Sequence, residues 1–188
     1  NKSSDIPSGL EFDIEEQQLT CIMVSRIVKQ KGVLDFLEAA KLCYSNGLRI
    51  NFILVGPLDT KNDAIDIKTI LEYEEYVNYL GKRTDIKDLL AVSDIFILPT
   101  YYREGIPRVL LEAAAMGLAL ISTNMPGCNE ILKDDFNGLF VNPKDPIDLS
   151  KKIALMHDDR KRLNFFSMNN KSFIHDFDIK TISEKYLE

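Results

Sequence analysis

The chain has 188 residues, 45% of them hydrophobic and 28% charged, with a formal net charge of −6. That length suits one domain with a sizeable core, and the acidic balance argues against a nucleic-acid footprint, which needs clustered basic charge. Cys21, Cys43 and Cys128 are odd in number and form no C-x-x-C pair, which fits reduced thiols in a cytoplasmic protein better than a disulfide framework. No signal peptide is visible, and the apolar stretch 109–121 is interrupted by Glu112 and too short to span a bilayer. The chain opens on a polar run at Asn1 without an initiator Met, which leads us to expect a piece of a larger protein.

In chain order, short β-branched runs alternate with helical patterns. Residues 20–24 read as a first strand and 32–45 as a helix, followed by a strand at 50–55 that the breaker pair Gly56-Pro57 ends. A helix at 64–73 precedes a strand at 77–80, and a helix at 86–92 precedes a strand at 95–98. A long helix starts at Pro107, whose fixed φ and missing N–H suit the first helical position. Strands at 119–122 and 138–141 follow, then helices at 146–157, 159–171 and 179–187. Continuously hydrophobic strands between helices predict a doubly wound, Rossmann-like α/β domain with a parallel six-stranded sheet. Ligands of such sheets lie beyond the carboxyl ends of the strands, near the switch in strand order.

The candidate chemistry follows those ends. Arg26 leaves the first strand and Lys31 stands where the next helix opens, so both can face one crevice. Each charge pair at about 4 Å is worth roughly 1 kcal/mol in bulk water and about 4 at an effective dielectric of 20, so a partly dry diphosphate rewards two cations. The alternative is a pair of solvated loop charges. After the fourth strand, Glu104 stands in the loop before the Pro107 helix and Glu112 inside it. The amides of Gly105, Ile106, Arg108 and Val109 lie between them, where a helix start attracts anions. Among apolar neighbours, the Glu112 carboxylate is expected to need hydroxyl or cationic partners. Carboxylates for hydroxyls beside amides for phosphate are what a nucleotide sugar needs. The same two glutamates also admit duller readings, as a surface salt bridge with Arg103 and a paired helix carboxylate.

Glu104-x7-Glu112 followed by Ala115-Met116-Gly117, then 122–131 and Asn137-Gly138-Leu139-Phe140-Val141, resembles the carboxyl-terminal half of a retaining glycosyltransferase of the GT-B fold, family four. Ser25-Arg26 with Lys31-Gly32 is similar to that family's diphosphate pattern, and 93–100 to its strand leading into the active-site loop. Within the family, 102–108 and Pro126-Gly127-Cys128 resemble bacterial enzymes that build lipid-linked surface or glycoprotein oligosaccharides. The resemblance implies that residues 1–188 bind the donor, a UDP-sugar, and that an amino-terminal acceptor domain is absent from this chain. It implies that Arg26 and Lys31 hold the diphosphate, Glu104 the donor sugar, and Glu112 the ribose. Gly105, Ile106, Arg108 and Val109 surround the phosphates, and Lys82 and Arg83 lie in the loop facing the nucleobase. The implied acceptor is a lipid-linked glycan, reached from the cytoplasm or the inner face of the membrane, with no metal and no cofactor. Two departures stand out: Val55-Gly56-Pro57 lacks a second glycine the family often has, and Pro107 removes one N–H from the phosphate site.

Several rival readings are weaker. Glu104 and Glu112 imply no glycosidase geometry, and Asp176-Phe177-Asp178 resembles a metal-binding triplet but falls beyond the last strand. His157 and His175 match neither a triad nor a metal cluster. No G-x-G-x-x-G follows the first strand, which disfavours a nicotinamide-binding domain. A nucleotide-sugar epimerase of similar fold and a non-catalytic nucleotide-sugar binding module remain the alternatives.

Overall fold

A computed structural model describes residues 18–60, 63–103 and 105–176, with side chains to residue 172. Six strands alternate with helices: β1 Leu19–Val24, α1 Val33–Ser45, β2 Ile50–Val55, α2 Ile67–Leu71, β3 Asn78–Tyr79, α3 Ile86–Ala91, β4 Ile95–Leu98, α4 Arg108–Ala115, β5 Ala119–Thr123, α5 Cys128–Ile131, β6 Gly138–Val141, α6 Pro146–Asp158 and α7 Arg160–Asp176. They form one sheet in the order β3-β2-β1-β4-β5-β6, and every pairing is parallel.

The strands are apolar on both faces because helices cover both. All four residues of β4 and all five of β5 are buried, as parallel sheets require. Phe36 of α1 meets Phe52 of β2 edge-to-face, with ring centroids 5.7 Å apart, a favoured aromatic geometry. The core continues through Phe96, Leu120, Ile153 and Phe166, each fully buried.

At the amino ends of the strands, polar side chains are spent on backbone. An Asp94 carboxylate oxygen accepts from Thr20 N at 2.9 Å, anchoring the start of β1. Asn170 of α7 donates from Nδ2 to the carbonyls of Leu118 and Asn137, at 2.7 and 2.8 Å, ahead of β5 and β6. Asn137 itself donates to Ile131 O and accepts from Lys133 N. The Asn137-Gly138 part of the family resemblance therefore builds the fold, and Gly138 is required there because a Cβ would stand 2.1 Å from Leu120 O.

The expected elements differ from the observed ones in a few places. Residues 29–31 form a 3₁₀ turn and α1 starts only at Val33, because Gly32 at φ +76° breaks the helix between them. Pro107 is not the first helical residue: its ψ of 115° is extended, making it the N-cap. A short helix, α5, follows Gly127, whose positive φ turns the chain. The expected helix at 179–187, the Asp176-Phe177-Asp178 triplet as a whole and the His175 side chain lie outside what is described. Among the described residues no helix is long and apolar enough to cross a membrane.

Candidate functional site

The strand order reverses direction between β1 and β4: β2 and β3 lie on one side, β5 and β6 on the other. The loops leaving β1 and β4 flank this point, where such sheets usually place their ligand crevice. Arg26 and Lys31 leave β1, while Tyr102, Arg103, Gly105 and the start of α4 leave β4.

The crevice floor is closely bonded. A Cβ on Gly32 would lie 2.2 Å from Pro99 O, so only glycine lets the two loops touch. Gln30 O accepts from Thr100 Oγ1 at 3.1 Å and from Tyr101 N at 3.0 Å. Thr123 Oγ1, at the end of β5, donates to Thr100 O. Thr100 is fully buried, and these bonds fix where the chain departs toward α4.

A second set of bonds joins the loops after β1 and β2. Their strands end in register, Val24 beside Val55, so the loops run side by side. Ile27 N donates to Pro57 O, Lys29 N to Asp63 O, and Ile65 N to Ile27 O. Asp63 also accepts from Gln30 N at 2.8 Å. Gly56 fits under this strap because a Cβ there would sit 1.7 Å from Ser25 O. Gly56 N donates to Gly81 O, and Tyr79 Oη to Gly56 O at 2.8 Å, which brings the loop after β3 to the same rim.

The candidate residues have these settings. Arg26 has its side chain 57% exposed and bonds through Nη1 to Asp59 at 2.9 Å; it is thus paired rather than bare. Lys31 is half-buried and closes the 3₁₀ turn instead of opening α1. Lys82 is exposed. Arg83 grips Asp85 through Nε and Nη2; that bond holds the Asp85 carboxyl below its usual range and the Arg83 guanidinium above its own. Arg83 is thus engaged within its own loop.

In α4, Leu110, Ala113 and Ala114 are buried, whereas Arg108, Glu112 and Ala115 form the exposed stripe. The expectation that apolar neighbours desolvate Glu112 is therefore corrected: its carboxylate faces water because the apolar residues point to the other side of the helix. Leu110 N and Leu111 N both donate to Pro107 O, which leaves the amides of Arg108 and Val109 as the helix start's available donors among the described residues. Gly105 is exposed and Ile106 half-buried. Glu104 lies outside the described residues.

Two features escaped sequence reasoning. Asp59 and Asp63 each act across 33 residues, on Arg26 and Gln30; the signal for them is an acidic loop following the strand next to the basic loop. The second is a groove of about 310 Å³ at the opposite, amino end of the sheet, lined in part by Gln18, Tyr44, Arg49, Asn51, Tyr76 and Asn78. There the Tyr44 and Tyr76 rings lie 5.1 Å apart and the Arg49 guanidinium sits 5.2 Å from the Tyr44 ring. It shares no residue with the crevice.

The loops at the switch point of this doubly wound sheet thus carry Arg26, Lys31 and the start of α4, with Glu112 on that helix's solvent-facing side. Residues 11–173 match the family described as glycosyl transferases group 1, and the chain belongs to that family. It is 36% identical over 168 residues to a Campylobacter jejuni protein, N,N'-diacetylbacillosaminyl-diphospho-undecaprenol alpha-1,3-N-acetylgalactosaminyltransferase, covering 89% of this chain and 43% of that one. An Escherichia coli UDP-Gal:alpha-D-GlcNAc-diphosphoundecaprenol alpha-1,3-galactosyltransferase is 34% identical over 188 residues, covering 89% of this chain and 48% of its own. The chain thus spans about half the length of these relatives. Among solved structures, Anabaena HepE in complex with UDP-glucose shares the fold with a TM-score of 0.79 at 24% identity, over 89% of this chain and 47% of HepE. The C-terminal domain of a Francisella tularensis glycosyl transferase group 1 family protein aligns at TM-score 0.75 and 23% identity, over 86% of this chain and 87% of that domain.

Proposed function

We propose that this chain is the donor-binding domain of a retaining glycosyltransferase that moves a sugar from a UDP-sugar to a hydroxyl of a lipid-linked glycan. The observation that carries the reading is the placement of Arg26 and Lys31 at the β1 exit, across the switch point from the α4 amides and Glu112. The names of the two curated relatives, both with diphospho-undecaprenol substrates, support the acceptor class. The UDP-glucose bound by HepE supports the donor class.

In this reading the diphosphate lies between the β1 loop and the α4 start. Arg26 supplies a forked donor and Lys31 a point charge, and the Arg108 and Val109 amides add donors along the helix axis. Negative charge grows on the diphosphate as the sugar–oxygen bond breaks, and these groups meet it already in place. The cations supply the charge that a metal ion would otherwise bring, so the reading includes no metal and no cofactor. Glu112 accepts from the ribose hydroxyls, Glu104 orients the donor sugar, and the Gly81-Lys82-Arg83 backbone faces the base. The incoming hydroxyl attacks from the same face as the departing diphosphate, which retains configuration. An amino-terminal domain supplies the acceptor site, and the intact enzyme works at the inner face of the membrane.

The test is transfer by the full-length protein from UDP-N-acetylgalactosamine or UDP-galactose to an undecaprenyl-diphosphate-linked acceptor. Sugar transfer with an α-linked product supports the reading. Conversion of the UDP-sugar without acceptor, or binding without transfer, contradicts it.

A further inference from the structure

We propose that Asp59 is the positioning residue for the diphosphate-binding arginine, holding Arg26 in its working orientation before any ligand arrives; this rests on the donor-binding reading above. The ion pair is asymmetric. The Asp59 side chain is 12% exposed and the Arg26 side chain 57% exposed, so the anchor is in the protein and the tool is in water. Asp59 is itself fixed: Oδ1 accepts from Thr60 N at 2.8 Å while Oδ2 takes Arg26 Nη1 at 2.9 Å. The backbone beneath it is strapped to the β1 loop by Ile27 N to Pro57 O and by the Ile27–Leu58 bridge. The carboxylate and the arginine are thus tied to backbone segments that are themselves bonded together.

One contact through Nη1 leaves the Nε and Nη2 donors of the planar fork for a second acceptor. A phosphate can then be gripped by an arginine whose rotamer freedom is already spent, which is the gain of preorganisation. An exposed, unheld arginine would lose that freedom on binding instead. Simple charge competition predicts the reverse, since an unneutralised Arg26 would attract a diphosphate more strongly.

Calorimetric titration of UDP into this chain separates these cases. Asp59→Ala should weaken UDP about tenfold, and Asp59→Asn, whose amide oxygen can still accept from Nη1, should stay within about threefold of the wild type. In an Arg26→Ala background, Asp59→Ala should add no further loss, because Asp59 acts through Arg26. Binding of uridine, followed by NMR titration, should be unchanged in Asp59→Ala, which a merely structural role would not give. If Asp59→Ala fails to fold, Asp59→Ser keeps an acceptor for Thr60 N while being too short to hold Nη1, and the same loss is expected. Unchanged or tighter UDP binding by Asp59→Ala, an equal loss in Asp59→Asn, or a full additional loss without Arg26 overturns the proposal while leaving the donor site intact. Absence of UDP binding by the wild type overturns the donor reading and this inference together.

Discussion

The two ends of the sheet use their polar residues in opposite ways. At the amino end, Asp94 and Asn170 spend their side chains on backbone groups around β1, β5 and β6, and Asn170 is fully buried. At the carboxyl end, Thr100, Thr123 and Asp63 make similar bonds beneath the crevice. Above that layer Arg26, Tyr102, Arg103, Arg108 and Glu112 remain exposed. A buried polar group without a partner is costly, which these internal bonds relieve, although Asn170 Oδ1 and Asn51 Nδ2 at the amino end have no hydrogen-bond partner among the described residues. Side chains at the rim face water and are available to a ligand. The amino end spends these side chains on the fold, whereas the carboxyl end leaves charged ones exposed at its rim.

That contrast can be broken in order of effect. Asn170→Ala removes two buried bonds and leaves the Leu118 and Asn137 carbonyls short of a donor. It should cost about 3 kcal/mol of stability in urea unfolding, while UDP affinity of the folded protein stays the same. Arg26→Ala should do the reverse, since an exposed ion pair is worth about 0–1 kcal/mol to folding. Its loss should weaken UDP by about 1.5–3 kcal/mol, measured by calorimetry beside an unchanged melting temperature. Glu112→Gln sharpens the contrast further. Its exposed carboxylate contributes little to folding, so stability should hold within about 0.5 kcal/mol, with UDP binding weaker by about 1–2 kcal/mol.

The smallest effect concerns the thiols. Cys21, Cys43 and Cys128 are all buried, and burial pushes the Cys43 thiol up to about 12 and the Cys21 thiol well above its ordinary value. Native protein at neutral pH should therefore resist a thiol-specific disulfide reagent, and denatured protein should release all three equivalents. Rapid reaction of one native thiol would show that the core around it opens.

The sheet was legible in the sequence because each strand announces itself locally. Ile95-Phe96-Ile97-Leu98 is buried on both faces and reads as a continuous apolar run, and its bounds agree with observation. The short pieces were less legible. α5 has four residues, too few for a periodic pattern, and the strand expected at 77–80 is shorter than read, Asn78–Tyr79. Pro107 shows the limit of a local rule, because a proline fixes φ but not ψ, and here ψ is extended.

At the site, Arg26 and Lys31 stood out as cations directly after a strand, while Asp59 did not. Its meaning depends on β1 and β2 ending side by side, a relation between strands that no local pattern carries. Glu112 was identified by spacing but with the wrong environment. Its apolar neighbours line one side of α4, and the carboxylate projects from the other. The residue stands as a candidate because it is accessible, not because it is buried.

The central claim, that the crevice between β1 and β4 holds a UDP-sugar by its diphosphate and ribose, is tested most directly by calorimetric titration of UDP into wild type and an Arg26→Ala/Glu112→Ala variant. Saturable heat with the wild type, and affinity lower by at least about a hundredfold in the variant at unchanged melting temperature, is the expected outcome. No binding by the wild type, or equal binding by both, would contradict it.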